Sequence, residues 1–305
     1  MLTIRAELHC HNVFSNFHVG ELDAPYDCGV SIAEQAAQAL THGIDAIFVT
    51  NHNTMDGYEQ LRRYVLDHEK FNHIQVLPAE EITISDGSHV IAYGIHEPVK
   101  PGMSLEETVD EIRLQDAISS APHPFSLLDA LRERASYCDM VEVFNSNNVD
   151  MLANARASIF ARENGMIEVA GSDAHVSSTL GRCTNVIDVQ GSMDDILQAM
   201  RRGKIRIENV GYATAQETIE HLRYKIGNSS EYVQQYMEQF YPQSKRLFTI
   251  LLKLFEHNPN SHLWILLYRF ATFAMRRISN KINFQGMDPE PMRSRDVGTM
   301  LKMAF

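Results

Sequence analysis

An acid and a histidine lie two residues apart in the stretch Gly171-Ser172-Asp173-Ala174-His175, directly after an apolar run at residues 166–170. The run is short and follows Gly165, a typical helix stop, so it predicts a buried strand. A strand that ends in Asp-x-His points both side chains the same way at its carboxyl end. In α/β proteins, ligands and metals bind at this end of the sheet. The stretch therefore predicts one wall of a binding site.

Strand patterns alternate with capped helices along the first two thirds of the chain. Ser31 with Glu34, and Ser104 with Glu107, form capping boxes that begin two of the helices. The strand patterns lie at residues 2–9, 44–49, 74–78, 89–94, 118–121, 140–145, 166–170 and 204–209. This alternation predicts a parallel sheet, and about seven βα units in about 210 residues predict a closed or nearly closed barrel.

Residues 211–305 show no strand pattern and predict an all-helical C-terminal region. Helices are expected to begin near Thr214, Ser230, Ser244 and Ser261. The apolar stretches at 247–255 and 263–275 are shorter than the roughly 20 residues that span a bilayer. We favour packing of these helices on the barrel, or on a second subunit of a homo-oligomer, over binding to a membrane surface. Arg276, Arg277 and Lys281 support the membrane alternative.

Charge is unevenly distributed along the chain. The formal net charge is −12, while residues 245–302 hold ten Lys/Arg against four Asp/Glu, a net of +6 that leaves −18 on the rest. The acidic body argues against general electrostatic binding of nucleic acid. The four cysteines form no C-x-x-C pair, and no apolar leader is visible at the start. We therefore expect a cytoplasmic protein with reduced thiols.

Histidines and acids recur at the predicted strand ends. Together they are His9, His11, His52, Glu81, His89, His123, Asp173 and His175. Strand ends converge on one face of a parallel barrel, and His-x-His places both imidazoles on one side of its strand. Imidazoles with carboxylates suit Zn, Mn or Fe, and eight such groups are too many for one tetrahedral ion. The pattern predicts two or three divalent ions and a bridging carboxylate.

These residues resemble the successive motifs of the PHP (polymerase and histidinol phosphatase) family. The matching segments are His9-Cys10-His11, Thr50-Asn51-His52, Glu81-Ile82, His123-Pro124 and Gly171-Ser172-Asp173-Ala174-His175. The resemblance covers about residues 1–210. It implies a distorted (β/α)7 barrel, followed here by the helical region at 211–305, and hydrolysis of a phosphate ester by metal-activated water. The substrate classes implied are a nucleotide, an RNA end or a small phosphomonoester.

The resemblance also implies roles for the ligands. A first metal site is expected from His9, His11, Glu81 and Asp173, and a second from Glu81, His89 and His123, with Glu81 bridging. A third is expected from His52 and His175, either of which is a candidate to protonate the leaving group if the third ion is absent. Arg182, His18 and Asn16 are the candidate substrate contacts, with Arg182 as the phosphate clamp.

Several residues depart from the family pattern. Glu7 stands where the family usually has Asp, while Asn16 and Asn51 replace two acids near the third site. An amide is a poorer ligand than a carboxylate, so we expect a weak third site unless His18 completes it. Asn16→Asp is then expected to raise the metal count or the affinity for the last ion.

Two other functions compete with phosphoester hydrolysis. A barrel-type metal hydrolase acting on C–N bonds would need a metal-bridging lysine at a strand end, and Lys70, Lys100 and Lys204 lie outside the motifs. A non-catalytic metal-binding module is favoured by Asn16 and Asn51. The presence of all eight candidate ligands argues against it.

Overall fold

The computed structural model describes residues 2–16, 26–148, 150–189, 193–294 and 296–305. Its strands are β1 (Leu2–Cys10), β2 (Ala46–Val49), β3 (Gln75–Thr83), β4 (His89–Tyr93), β5 (Ile118–Ala121), β6 (Met140–Asn145), β7 (Ile167–Gly171), β8 (Thr184–Val189) and β9 (Ile205–Asn209). Its helices are α1 (Ile32–Thr41), α2 (Asp56–Asp67), α3 (Leu105–Leu114), α4 (Met151–Asn164), α5 (Met193–Arg201), α6 (Ala215–Phe240), α7 (Lys245–His257), α8 (His262–Gln285) and α9 (Val297–Ala304).

The strands form a nearly closed barrel. They run in the order β7-β6-β5-β4-β3-β2-β1-β8-β9, and β7 also lies against β1 and β9. Beyond β7 the backbone pairs with the end of β1, where the Asp173 N–H donates to the His9 carbonyl at 2.7 Å. The predicted α/β barrel with C-terminal helices is confirmed.

The prediction of a wholly parallel sheet was wrong. The pairs β1–β8, β3–β4, β4–β5 and β8–β9 are antiparallel. Only residues 84–88 join β3 to β4, and such a link is too short for a parallel crossover of a dozen or more residues. Strand β8 was not predicted, because no α-helix lies between β7 and β8 and the alternation of strands and helices is interrupted there.

Side-chain hydrogen bonds close the barrel where its backbone ladder is interrupted. The buried amide of Asn185 on β8 accepts from the Ala170 N–H at 3.0 Å and donates to the Ala170 carbonyl at 2.6 Å. The buried carboxylate of Glu7 on β1 accepts from the N–H groups of Ser172 and Gly181, each at 3.1 Å. These bonds fix the loop after β7 against β1.

Helices cover the outside of the barrel. Helices α1 and α2 pack on β2 through a cluster that includes Ala36, Ile47 and Leu61, and α3 and α4 pack on the opposite wall. Among the described residues, no helix is both long and apolar enough to cross a membrane.

The C-terminal helices begin close to the predicted starts. Two helices were expected to begin near Thr214 and Ser230. The structure has one continuous helix there, α6, with a kink at Ser229. Helix α8 packs on the barrel rim through Ile278 and Ile282, which meet Leu127. Helix α9 was not predicted. The division into domains at residues 1–210 and 211–305 stays a prediction.

Asn185→Leu should destabilise the barrel. Leucine keeps the volume but leaves the buried N–H and carbonyl of Ala170 without partners, a loss of about 2–5 kcal/mol in free energy of unfolding. Urea unfolding measures the change. Asn209→Leu on the exposed surface of β9 is the control and should stay within about 0.5 kcal/mol of wild type. Equal losses in both variants would show that the Asn185 amide does not hold the barrel closed.

Candidate metal centre

The barrel brings all eight predicted ligands together at one end. His9, Glu81 and Asp173 arrive at or just beyond the carboxyl ends of β1, β3 and β7, and His52 and His123 follow β2 and β5. His89 is the first residue of β4. Because β4 runs antiparallel to β3 and β5, its amino end lies at the same edge as their carboxyl ends.

The Glu81 carboxylate lies at the middle of the cluster, with five imidazole nitrogens around it. Its Oε2 is 3.4 Å from His9 Nε2, 3.3 Å from His11 Nε2 and 3.4 Å from His52 Nδ1. Its Oε1 is 3.0 Å from His89 Nδ1 and 3.2 Å from His123 Nε2. Each oxygen thus faces a different set of rings, which is the arrangement of a bridging ligand.

Asp173 forms a second point of contact for the rings. Its Oδ1 is 3.5 Å from His9 Nε2 and 3.3 Å from both His11 Nε2 and His175 Nδ1. Asp173 has a φ of 49° and His123 a φ of 29°, values that are strained for residues other than glycine. Such strain persists only where surrounding contacts impose it, and it is common at functional sites.

Asp27, which the sequence did not indicate, completes a third group. Its Oδ1 is 3.2 Å from His175 Nε2 and 3.9 Å from His52 Nε2. The ligand atoms of His11, Asp27, His52 and His175 all lie within 4.8 Å of one another. The structure thus places two further possible ligands, His11 and Asp27, beside the His52 and His175 expected at the third site. Asp27 was missed because it lies in a loop that has neither periodicity nor a metal-binding motif.

The donor atoms fit divalent cations. His11 Nε2, His52 Nδ1, His89 Nδ1 and Asp27 Oδ2 are buried without a hydrogen-bond partner among the described residues. Separations of roughly 3.0–3.5 Å are those between donors that each lie about 2.1 Å from a common cation. Burying so many polar atoms without partners is costly, and bound cations would satisfy them.

Burial and charge set the protonation of these groups. Burial alone would raise the pKa of Glu81, but the imidazoles of His52, His89 and His9 lower it well below its usual range. Burial lowers the pKa of His52 to about 3, so its ring is neutral at pH 7. The neutral ring suits a metal ligand and disfavours the predicted role of His52 as proton donor.

A supporting carboxylate on β6 orients the ligands. Glu142 Oε1 is 2.9 Å from His9 Nδ1, and its Oε2 accepts from the His123 N–H at 2.8 Å. The Asn145 amide donates to Glu142 at 2.9 Å and to Asp173 at 3.1 Å. Carboxylates behind metal-binding imidazoles fix their tautomer and orientation. The sequence pattern showed β6 but did not identify Glu142, which lies within the strand.

Gly171 permits the close approach of β7 to these groups. A Cβ at this position would lie 2.2 Å from Glu142 Oε1 and 2.3 Å from the Cβ of His9. Both atoms are held by the centre, so neither can give way. A glycine at position 171 is therefore needed for the close contact of β7 with β1 and β6.

The two asparagines that replace family acids organise loops. Asn16 Oδ1 accepts from the N–H groups of Asp27 and Cys28 at 2.7 and 2.9 Å, and its amide donates to the Cys28 carbonyl and Tyr224 Oη. Asn51 exchanges two hydrogen bonds with Asn12. An aspartate at position 16 would face the Cys28 carbonyl with an oxygen. The effect of Asn16→Asp on the metal count stays a prediction.

The two other predicted substrate contacts are Arg182 and His18. Arg182 forms an ion pair with Glu217 and donates to the Tyr212 carbonyl at 2.9 Å. His18 lies outside the described residues. Substrate binding by Arg182, Asn16 and His18 stays a prediction.

Helix α6 reaches over the third group. His221 Nε2 donates to the Asp27 carbonyl, and its ring centroid is 4.9 Å from that of His175. One turn further, the Lys225 ammonium lies 4.6 Å from the ring centroid of Tyr26. Burial lowers the pKa of Lys225, while the nearby negative charges of Asp27 and Asp173 act to raise it. The helical region thus supplies a cation at the edge of the centre.

Comparison with known proteins agrees with this geometry. A family model described as PHP-associated matches residues 152–205. The uncharacterized protein MJ1587 of Methanocaldococcus jannaschii is 30% identical over 155 residues, which are 50% of this chain and 87% of that protein. The chain belongs to the PHP family.

Solved structures share the fold. A two-domain Bacteroides vulgatus protein that contains a predicted PHP-like metal-dependent phosphoesterase is similar with a TM-score of 0.54 and 15% identity, over 74% of this chain and 70% of that chain. PsfC from Pseudomonas syringae is similar with a TM-score of 0.51 and 18% identity, and the match covers 74% of this PHP-family chain and 99% of the PsfC chain.

Asp27→Asn should cost the protein one metal ion. After loading with manganese and desalting, wild type should retain about three ions per chain and the variant about two, because an amide is a neutral and weaker ligand. Inductively coupled plasma mass spectrometry gives the count. Asp188→Asn, an exposed change on β8, is the control and should match wild type. The same count in both variants would show that Asp27 is not a ligand.

Proposed function

We propose that this chain is a metal-dependent phosphoesterase that holds two or three divalent ions of Zn, Mn or Fe. The observation that carries the proposal is the Glu81 carboxylate, whose two oxygens face five imidazoles within 3.0–3.4 Å. His9, His11, Glu81 and Asp173 would hold one ion, and Glu81, His89 and His123 a second. His11, Asp27, His52 and His175 would hold the third, with His11 and Glu81 shared between groups.

The ions would activate a water and offset the charge of the phosphoryl oxygens. The protein's own part is to keep the ligands deprotonated, fixed and shielded from bulk water. Glu142 and Asn145 fix His9 and Asp173, while the neighbouring imidazoles keep Asp173 ionised by lowering its pKa well below the usual range against the effect of burial. A centre held this rigidly does not have to reorganise as charge develops in the transition state.

Lys225 is the proposed cation for the substrate phosphate. It has no ion-pair partner within 4.0 Å among the described residues, whereas Arg182 is bound by Glu217. Its position on α6 places it one turn from His221, which contacts both Asp27 and His175. A substrate phosphate at the third group would therefore meet an ammonium from the C-terminal helices.

The structure offers little support for the two alternatives. C–N hydrolysis with a bridging lysine would need that lysine at a strand end among the ligands, whereas Lys70, Lys100 and Lys204 lie outside the ligand motifs and Lys225 lies on α6. A degenerate module was favoured by Asn16 and Asn51. Both have structural hydrogen bonds, and Asp27 supplies a carboxylate near the third group.

The proposal predicts metal-dependent turnover. Chelator-treated protein reloaded with Zn, Mn or Fe should hydrolyse at least one member of a panel of phosphomonoesters, nucleotides and short RNAs. Asp173→Asn should lower kcat by about a thousandfold or more, because the ligand set of the first group is broken. Asp188→Asn should keep full activity. Metal-loaded wild type that turns over nothing on the panel would contradict the proposal.

Two variants in the same assay test the phosphate contact. Lys225→Gln should retain its metal and raise KM by about tenfold through loss of one charged hydrogen bond, and Lys225→Arg should restore most of it. An unchanged KM in Lys225→Gln would assign phosphate binding to another residue.

A further inference from the structure

Helix α7 has apolar side chains on two opposite faces. Leu252 and Phe255 are buried in a cluster with residues of α6. The opposite face carries Leu247, Ile250 and Leu254, and Ile250 is 58% exposed. Positions spaced by three and four residues share one side of a helix, so these three form a continuous stripe that faces away from α6.

Helix α8 repeats this pattern. Trp264 is buried with α6 and α7. The exposed large apolar residues in the first half of α8 are Leu263, Leu266, Leu267, Phe270 and Phe273. Leu266 is 62% exposed and Phe270 is 53% exposed. Phe305 extends this second stripe, with ring centroids 6.5 Å and 6.2 Å from those of Phe270 and Phe273. We call the two sets the outer stripes of α7 and α8.

Basic side chains border both outer stripes. Helices α7 and α8 contain seven Lys/Arg, whereas Glu256 is their single acid. Arg246 and Lys253 lie beside the stripe of α7, and Arg269 and Arg276 beside that of α8, all four exposed. In the described part of the chain, none of these four has an ion-pair partner within 4.0 Å. Their charges are available to a binding partner.

The charges distinguish between occupants. The packing of the C-terminal helices that the sequence favoured explains only the buried inner faces of α7 and α8. A second copy docked stripe to stripe would bring two basic borders together, and unneutralised like charges at an interface cost affinity. An anionic bilayer attracts the same borders and takes up exposed Leu and Phe side chains at its interface. The net charge of −18 on the remainder of the chain would repel other faces from such a surface.

We propose that the outer stripes of α7 and α8 dock this protein on an anionic lipid surface. The apolar side chains enter the interface, and the bordering arginines and lysines contact lipid phosphates. Binding is salt-sensitive, because each basic residue contributes through screened electrostatic attraction. The barrel remains in the aqueous phase.

Vesicle flotation tests the proposal on the full chain. Protein is mixed with vesicles of phosphatidylcholine alone or with about one third phosphatidylglycerol, and floated at low salt and at about 0.5 M NaCl. Flotation is expected with the anionic vesicles at low salt only. Leu266→Gln/Phe270→Gln should lower partitioning by at least about tenfold, and Arg269→Gln/Arg276→Gln by about thirtyfold.

Matched variants separate this surface from general effects. Leu66→Gln/Leu114→Gln removes exposed leucines from α2 and α3, and Arg202→Gln/Arg206→Gln removes exposed arginines elsewhere. Both should float like wild type. Circular dichroism confirms folding, and Ile250→Gln on α7 gives an independent test. Three results would overturn the proposal. Wild type does not float with anionic vesicles, or it floats equally well with neutral vesicles. Alternatively, sedimentation velocity shows a dimer that Leu266→Gln/Phe270→Gln dissociates.

Discussion

The structure depends on one buried carboxylate shared among five imidazoles. Glu81 lies near the end of β3, and the rings that surround it come from β1, β4 and the segments after β1, β2 and β5. Taking these groups out of water is expensive, and their mutual attraction repays it only when every lone pair and proton has a partner. Several nitrogens have no hydrogen-bond partner among the described residues. The centre is therefore built for cations that complete it.

The barrel is shaped to hold that centre closed. Gly171 lets β7 approach His9 and Glu142, and Asp173 then takes up a left-handed backbone conformation. Beneath it, Asn185 joins β8 to β7 where strand pairing is interrupted. Stability and function therefore draw on the same contacts. A substitution at the rim of the barrel that relaxes the backbone also moves a ligand, because close-packed protein interiors transmit strain.

Much of the centre could be predicted from the sequence because strand periodicity and metal-ligand chemistry are both local signals. His9 and His11, like Asp173 and His175, are two residues apart at the end of a predicted strand. Asp27 and Lys225 carry no such signal. Asp27 reaches the cluster through a loop anchored by Asn16, and Lys225 through a helix more than two hundred residues away from the first ligands. Contacts between distant segments depend on the complete fold.

The antiparallel strands show the same limit. Periodicity identified β4 but not its direction, which follows from the short link between β3 and β4. The roles of Asn16 and Asn51 also depended on partners that the sequence could not place. Comparison with a family pattern treated both as lost ligands, whereas hydrogen bonds to Cys28 and Asn12 show that they hold loops.

Electron paramagnetic resonance of the manganese-loaded protein tests most directly whether Glu81 joins the ions into one centre. Mn(II) ions that share a carboxylate couple magnetically, so wild type should give a broadened, exchange-coupled spectrum. Glu81→Gln should give the spectrum of isolated ions at reduced occupancy, because the amide is a poor bridging ligand. A spectrum of isolated ions in fully loaded wild type would contradict the account.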